Sequence, residues 1–444
     1  MGRPSKSRVL GLWANGVRVG QWVLPAQGPM ELRYDPRWMA SQAGRPLSLS
    51  LPFGVDDRPI KGPAVENYFD NLLPDSSTIR KRLAARFRAE SDQAFDLLAA
   101  VGRDCVGVLQ ILPEGEEPLG CDRIEGDVLD DAQVEAHLLR AAGGDGRLRD
   151  EADDLRISLA GAQEKTALLH WGGQWLRPKG ATPTTHILKL PLGLVGNRQA
   201  DFHTSVDNEW LCLEILRAYG LPAPRASLQR FGQQRVLAVE RFDRQLHSSG
   251  QWLLRLPQED FCQVYGLPSH RKYEADGGPG VVELCSILKQ SVQAEQDIAN
   301  VLRVQILFWL LVAPDGHAKN FSLQILPRGR FRLTPFYDVM SAYPVLGKGP
   351  NQWSWHEVKL AMAVRSKNKH DAFRNVQRRH FNAMARLCGL DSAEPLIEDL
   401  LARTPGVIES VSGRLPGLFH EPVAAAILQG LKDAAERLAR MPAQ

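Results

Sequence analysis

The sequence predicts an α+β fold in two lobes, a mixed α/β N-terminal part followed by an all-helical C-terminal lobe. Three observations predict it. Short apolar or alternating segments dominate up to about Leu256, and helical spacings dominate after it. A chain of 444 residues is also too long for one ordinary hydrophobic core.

The elements follow in order. Arg8 to Trp13 and Val17 to Leu24 flank Asn15-Gly16, a pair that readily adopts the positive φ angles of a tight hairpin. Asp75 to Ala89 and Asp92 to Ala100 have helical spacing, the first basic on its exposed face. An acidic, Gly-rich stretch from Glu114 to Asp153 is interrupted by a helix around Asp131 to Ala142, and a unit boundary is placed within it. The resulting division is 1–150, 151–256 and 257–444. Leu155 to Leu159, Lys165 to His170, His186 to Leu190 and Val236 to Phe242 read as strands of one sheet. Val206 to Tyr219 reads as a helix closed by Gly220, with Pro222 preventing a restart. Further helices are expected over Gly280 to Gln290, Ala294 to Val312 and His370 to Cys388, with more to the C-terminus.

Composition excludes several classes. A net charge of +3 gives no global field of the kind that marks a nucleic-acid binder. The six cysteines form no C-x-x-C pair, which argues against a zinc site or a disulfide framework and suits a reducing cytoplasm. No signal peptide is expected at the N-terminus. The apolar stretch Val301 to Val312 is too short to span a bilayer and contains Arg303, so it reads as a buried helix and no membrane association is expected.

The chemistry concentrates in 315-DGHAKN-320. Phosphoryl transfer needs a carboxylate to receive the attacking hydroxyl's proton and oxygen ligands for Mg²⁺. Asp315 and Asn320 have the five-position spacing of base and metal ligand in a protein-kinase catalytic loop. Lys319 is placed to neutralise a γ-phosphate. Eighteen residues after Asn320, Asp338 ends a strand-like segment where a kinase keeps its second metal ligand, with Val339 in place of the usual glycine. A structural turn would look similar for either element alone. Together they point to a kinase-like layout.

Upstream, Lys189 sits among apolar neighbours in HILKLP, a costly place for an ammonium unless it meets anions such as ATP phosphates. Glu209 is the candidate to orient it and Glu214 the lesser one. An edge-strand lysine facing water is the alternative. The small-residue turn Ala160-Gly161-Ala162 with Gln163, Glu164 and Lys165 would let backbone N–H groups approach phosphate oxygens, as an ordinary hairpin also would. Glu240, Arg241 and Phe242 lie where a hinge would meet adenine, and Asp243 where a carboxylate would reach ribose. The run 365–386 is rich in Lys and Arg against one acid, Asp371. It is read as a solvated helix face, with phosphate-backbone binding as the alternative.

The set ISLAGAQEKTALL, PTTHILKLP, AVERFDR, LRLPQED, YEADGGPG, DGHAKNFS and LTPFYDVMSAYP, with LPFGV, ENYFDNLLPD and VGRDCVGVLQILPE before it, resembles the HipA serine/threonine kinase toxins of bacterial toxin–antitoxin modules. The resemblance implies a protein-kinase-like fold, with ATP and Mg²⁺ as cofactors. It implies Asp315 as catalytic base, Asn320 and Asp338 as Mg²⁺ ligands, and Lys189 and the turn Ala160 to Lys165 as phosphate-binding. Glu240 to Phe242 would contact adenine; His317, Ala318, Lys319, Asn320, Tyr337, Asp338, Val339 and Met340 would line the rest of the nucleotide site. Ser158 matches the family's autophosphorylation serine, whose modification expels the phosphate-binding loop. The implied partners are a HipB-like antitoxin, operator DNA through that complex, and glutamyl-tRNA synthetase as protein substrate. Of two basic DNA-contacting positions known in the family, one matches Arg386 and the other falls on Gly389. Alternatives of other kinds are a small-molecule kinase, an AMP-transferase or a catalytically silent co-repressor.

Overall fold

The computed structural model describes residues 7–54, 56, 58–143, 157–161, 163–196 and 198–443. The expected Asn-Gly hairpin forms between Arg8–Ala14 and Val17–Leu24, with Asn15 and Gly16 both at positive φ (49° and 82°). These strands centre a five-stranded sheet, in the order Ile60–Lys61, Glu31–Tyr34, Val17–Leu24, Arg8–Ala14, Leu109–Pro113. Its core gathers Trp22, stacked on Phe69 with ring centres 3.9 Å apart, and the apolar faces of helices Pro63–Asp70 and Ala94–Val101. The basic helix Ser77–Phe87 buries none of its residues.

The second sheet has six strands, in the order Ala226–Phe231, Gln234–Glu240, His186–Lys189, Lys165–Trp171, Gln174–Pro178, Gly126–Leu129. Side chains alternate across it. Leu168, Leu188, Val236 and Ala238 pack with Val134 and Leu138 of helix Asp131–Ala141, whereas Lys189 points to the opposite face and to helix Ser205–Ala218. Because Gly126–Leu129 and Asp131–Ala141 belong to this sheet, the packing divides the chain between Pro113 and Gly126 rather than at 150. The strand expected at Leu155 to Leu159 is corrected in part. Ile157 forms an isolated bridge with Asp104 and the next residues are irregular, while 155 and 156 lie outside the described residues.

The C-terminal part is built around Ala294–Leu311, whose apolar residues face inward all round. Helices Val281–Leu288, Arg378–Cys388, Glu394–Ser412 and Glu421–Arg440 complete it. It is not all-helical. Gln258–Asp260, Ser322–Ile325 and Phe331–Leu333 form one antiparallel sheet, and Lys359–Arg365 with Lys369–Ala372 another. The helix expected over His370 to Cys388 therefore starts only at Arg378, because the residues before it pair as a hairpin. No helix among the described residues is long and apolar enough to cross a membrane.

Several contacts join the first unit to the last, and one of them buries a carboxyl group. Glu259, buried beside Tyr34 and Tyr68, accepts the Leu49 N–H at 3.0 Å, and its other oxygen has no partner. Burial pushes Glu259 up to about 8 and its neighbour Asp260 up to about 6. The folded protein thus keeps a proton on Glu259 that the unfolded chain releases near 4.5, so this group's contribution to stability falls as pH rises between those values and levels off above. Glu259→Gln should flatten this slope. Its Tm relative to wild type should climb on the order of a few degrees between pH 5 and 8, read by scanning calorimetry.

Candidate active site

The central helix Ala294–Leu311 ends at Val312, which takes the left-handed conformation (φ 47°) and turns the chain into Asp315–Asn320. Gly316 is required there, since a Cβ would lie 2.2 Å from the Phe308 ring. The His317 N–H donates to the Asp315 carbonyl at 2.8 Å and the Asn320 N–H to the His317 carbonyl at 2.9 Å, closing a short 3₁₀ turn. The Asp315 carboxylate is half exposed at the rim. Its Oδ1 accepts the Tyr273 phenol at 2.8 Å, and its Oδ2 stands 4.0 Å from His317 Nε2. Burial lowers the His317 pKa, and its Nδ1 is buried without a partner.

Asp338 approaches the same point from the other side. The Ala342 N–H donates to the Val312 carbonyl at 2.8 Å, and Ser341 Oγ to the Leu311 carbonyl at 2.6 Å. Asn208 clips Ser341 through both backbone groups, at 2.7 and 2.8 Å. The glycine that the sequence lacks after Asp338 is not needed at that place. The positive φ of 60° falls on Asp338 itself, and Val339 is buried in the core. Left-handed backbone on a non-glycine residue costs on the order of 1–3 kcal/mol.

Lys189 Nζ lies 2.7 Å from Glu209 Oε1 and 2.8 Å from Asp338 Oδ1. Burial alone would lower its pKa, but the two carboxylates hold it above its ordinary value. Glu214 is engaged with Arg217 and Arg414 instead. Directly across the sheet from Lys189 stands Lys165. Its Nζ donates to the Ala160 carbonyl at 2.8 Å, and burial together with Lys189 pushes it down to about 8. Gly161 sits at φ 103°, where a Cβ would lie 2.7 Å from Lys165 Nζ.

A cleft of about 820 Å³ joins these groups. Ala160, Gly161, Gln163, Lys165, Lys189, Glu240, Arg241, Phe242, Asp243, Asp315, His317, Lys319, Asn320, Tyr337, Asp338 and Met340 all line it. Several expected contacts are corrected. Glu164 turns to Arg82 at 2.5 Å, and Ala318 and Val339 pack into the core. Ala162 lies outside the described residues. Asp243 is not available to a ribose, because its carboxylate takes Arg241, Arg244 and the Gly107 N–H. The Arg241 guanidinium likewise turns into this buried cluster, which also holds Asp104, Thr184 and Arg255. Lys319 bonds Asp75 at 2.7 Å rather than standing alone. Ser158 is fully buried and donates to the Leu72 carbonyl at 2.7 Å, so the structure does not bring it to Asp315. The basic run is not one helix face, since it spans a strand end, a second strand and a helix, and three of its cations are paired: Arg365 with Glu283, Lys369 with Glu274 and Arg378 with Glu394. Arg386 is exposed near the end of its helix.

Known proteins fit this frame. The HipA-like C-terminal domain matches residues 157–408 and the HipA N-terminal domain residues 10–112. The chain belongs to the HipA family. Among relatives, a Sinorhizobium fredii protein named "Putative kinase Y4mE" is 33% identical over 76% of this chain and 79% of its own length. The serine/threonine-protein kinase toxin HipA of Shewanella oneidensis is 26% identical over 75% of this chain and 73% of its own. In fold, the chain matches HipA in the Shewanella oneidensis complex of HipA, HipB and operator DNA, with a TM-score of 0.77, 22% identity and 97% of both chains covered.

Within this HipA-type cleft, the donor set suits a nucleotide with a divalent cation. Among the described residues no cluster of three His, Cys, Asp or Glu side chains could hold a metal alone. A Mg²⁺ ion would therefore take one or two protein oxygens and complete its shell with phosphates and water. Asn320 gives its amide nitrogen to the Asp315 and Asp338 carbonyls at 2.8 and 3.4 Å, leaving its Oδ1 for a cation. Asn208, Lys272, Tyr273 and Asp75 were missed as functional residues in the sequence, although the last three sit in or beside the blocks YEADGGPG and ENYFDNLLPD. Arg241→Met would leave Asp104 and Asp243 short of a buried partner, and should destabilise the protein by about 3–5 kcal/mol in urea unfolding.

Proposed function

We propose that this chain is a toxin-type serine/threonine protein kinase that moves the ATP γ-phosphate to a protein serine. The carrying observation is the pair Lys165, half-buried, and Lys189, buried, which share one cleft with Asp315, Asn320 and Asp338. ATP with Mg²⁺ supplies the phosphoryl group and neutralises its charge. Asp315, half exposed and already accepting a hydroxyl, receives the acceptor's proton. Asn320 Oδ1 and Asp338 hold the metal. Lys189, steadied by Glu209, and Lys165 meet the phosphates, and the backbone of Glu240 to Phe242 meets adenine. Asp243 is left out of the site, for the reason given above.

Ser158 is assigned as the autophosphorylation site, which requires the segment around it to leave its place against Leu72. A HipB-like antitoxin, operator DNA bound through it, and glutamyl-tRNA synthetase as target are the partners that family membership suggests, with Arg386 as a minor DNA contact. The Shewanella oneidensis structure of similar fold is a complex with HipB and operator DNA, which supports the first two.

Incubation with labelled ATP tests the reading. Label from the γ position should appear on serine, and label from the α position should not, which separates phosphate transfer from AMP transfer. Asp315→Gln should keep its circular dichroism spectrum and lose about 10²–10⁴-fold in transfer rate. A variant that labels at near wild-type rate would remove Asp315 from the role of base. Ser158→Ala should lose most self-labelling, and phosphate mapped by mass spectrometry mainly to another residue would overturn that assignment.

A further inference from the structure

The segment Asn71–Asp75 belongs to the N-terminal unit, yet it touches both sides of the cleft. On one side Pro74 bridges Gly161, and the Asp75 N–H donates to the Gly161 carbonyl at 3.2 Å. On the other, the Asp75 carboxylate takes two ammonium groups. Oδ1 accepts Lys319 Nζ at 2.7 Å, and Oδ2 accepts Lys272 Nζ at 2.8 Å. Lys319 is in the Asp315–Asn320 loop itself and also reaches the Asn71 carbonyl at 3.4 Å. Lys272 carries the neighbouring chain, where its carbonyl accepts the Ala318 N–H at 3.0 Å and its ammonium lies 5.4 Å from the centre of the Tyr273 ring. Tyr273 in turn donates to Asp315.

One carboxylate thus serves two cations that flank the base. The three side chains are 4–15% exposed, so water screens them little and their geometry is held by charge. Tyr273 rests on Lys272, Asp315 binds Tyr273, and the loop carrying Asp315 is pinned at Lys319. Removing the single acid would leave two neighbouring ammoniums with nothing between them.

We propose that Asp75 is a positioning residue of the transfer site, supplied by the N-terminal unit, which fixes the loop Asp315–Asn320 by binding Lys319 and Lys272 together. The inference rests on the kinase reading above. Asp75→Asn keeps the shape of the side chain but removes its charge and one acceptor, so one lysine loses its partner. A looser loop slows the chemical step. A released ammonium beside the cleft adds positive charge and does not weaken the binding of a polyanionic nucleotide. A merely structural role would instead lower the folded fraction, and rate and binding capacity would fall together.

The experiment compares kcat for γ-phosphate transfer with the ATP dissociation constant in full-length wild type, Asp75→Asn and Asp75→Glu, each checked for folded fraction by thermal melting. The expected result is a fall of at least about tenfold in kcat for Asp75→Asn. Its ATP dissociation constant should be unchanged or lower, and Asp75→Glu should recover part of the rate. A kcat within twofold of wild type, or a loss explained by unfolding or weaker ATP binding, overturns the inference alone. Absence of transfer by wild type sinks the kinase reading and the inference with it. Should Asp75→Asn not fold, Lys272→Met takes its place, since it leaves Lys319 as the only ammonium on Asp75: at saturating ATP its kcat should again fall at least about tenfold, and a kcat within twofold of wild type overturns the inference.

Discussion

The cleft depends on the placement of two lysines side by side on one face of a sheet. Lys165 and Lys189 are register partners, so their ammonium groups share the face toward helix Ser205–Ala218. A buried cation persists only where an anion answers it. Glu209 and Asp338 answer Lys189. Lys165, half-buried, donates to a carbonyl instead, and burial together with the neighbouring Lys189 pushes its pKa down to about 8. An anion arriving there would relieve the repulsion between the two ammoniums.

The other elements bring anionic and neutral oxygens to that point. The sheet provides the lysines, and helix Ser205–Ala218 contributes Glu209 to one lysine and Asn208 to the Asp338 segment. The central helix ends where Asp315 must begin, held by the left-handed Val312 and the close fit of Gly316 on Phe308. Three separate parts of the chain thus meet within a few ångströms, and each is fixed by buried backbone hydrogen bonds rather than by loops alone. The cluster of Asp104, Arg241, Asp243, Arg244 and Arg255 fastens the N-terminal unit to the strand end beside the same cleft. Breaking it by removing one member is costly, since its charges have no water to turn to.

Local chemistry was legible in the sequence where it had a local cause. The Asn15-Gly16 hairpin, the helix ended by Gly220 and the pairing of Lys189 with Glu209 all follow from spacing, turn residues or the need of a buried charge for a partner. What failed was long-range. Asp243 looked free beside a hinge, but Arg241 and Arg244 lie within two residues of it and the fold brings Asp104 from far upstream. The basic stretch before Arg386 looked like one helix because charge gives no sign of a hairpin. Strand Lys359–Arg365 does not even alternate, since Met362, Ala363 and Val364 are all buried. Lys319 looked like a phosphate ligand, and only the arrival of Asp75, 244 positions away, shows it engaged. Contacts between distant segments leave no periodic trace.

Ser158 sets the sharpest demand on this architecture. Its hydroxyl is tied to Leu72, its N–H to the Asp104 carbonyl at 3.2 Å, and the following turn to Asp75. The base, meanwhile, holds Tyr273. For Ser158 to meet Asp315, these contacts must open. Hydrogen bonds of this kind contribute about 0.5–1.5 kcal/mol net each, so three of them, with the burial of Leu159, amount to a few kcal/mol. If Ser158 is the residue modified, as proposed above, the reaction has to pass through an opened state lying this far above the closed one. Phosphate once added would not fit back against the Leu72 carbonyl, because two acceptors cannot share a missing proton. On the proposed assignment, the same buried contact that shields Ser158 in the closed state would therefore hold the modified chain open.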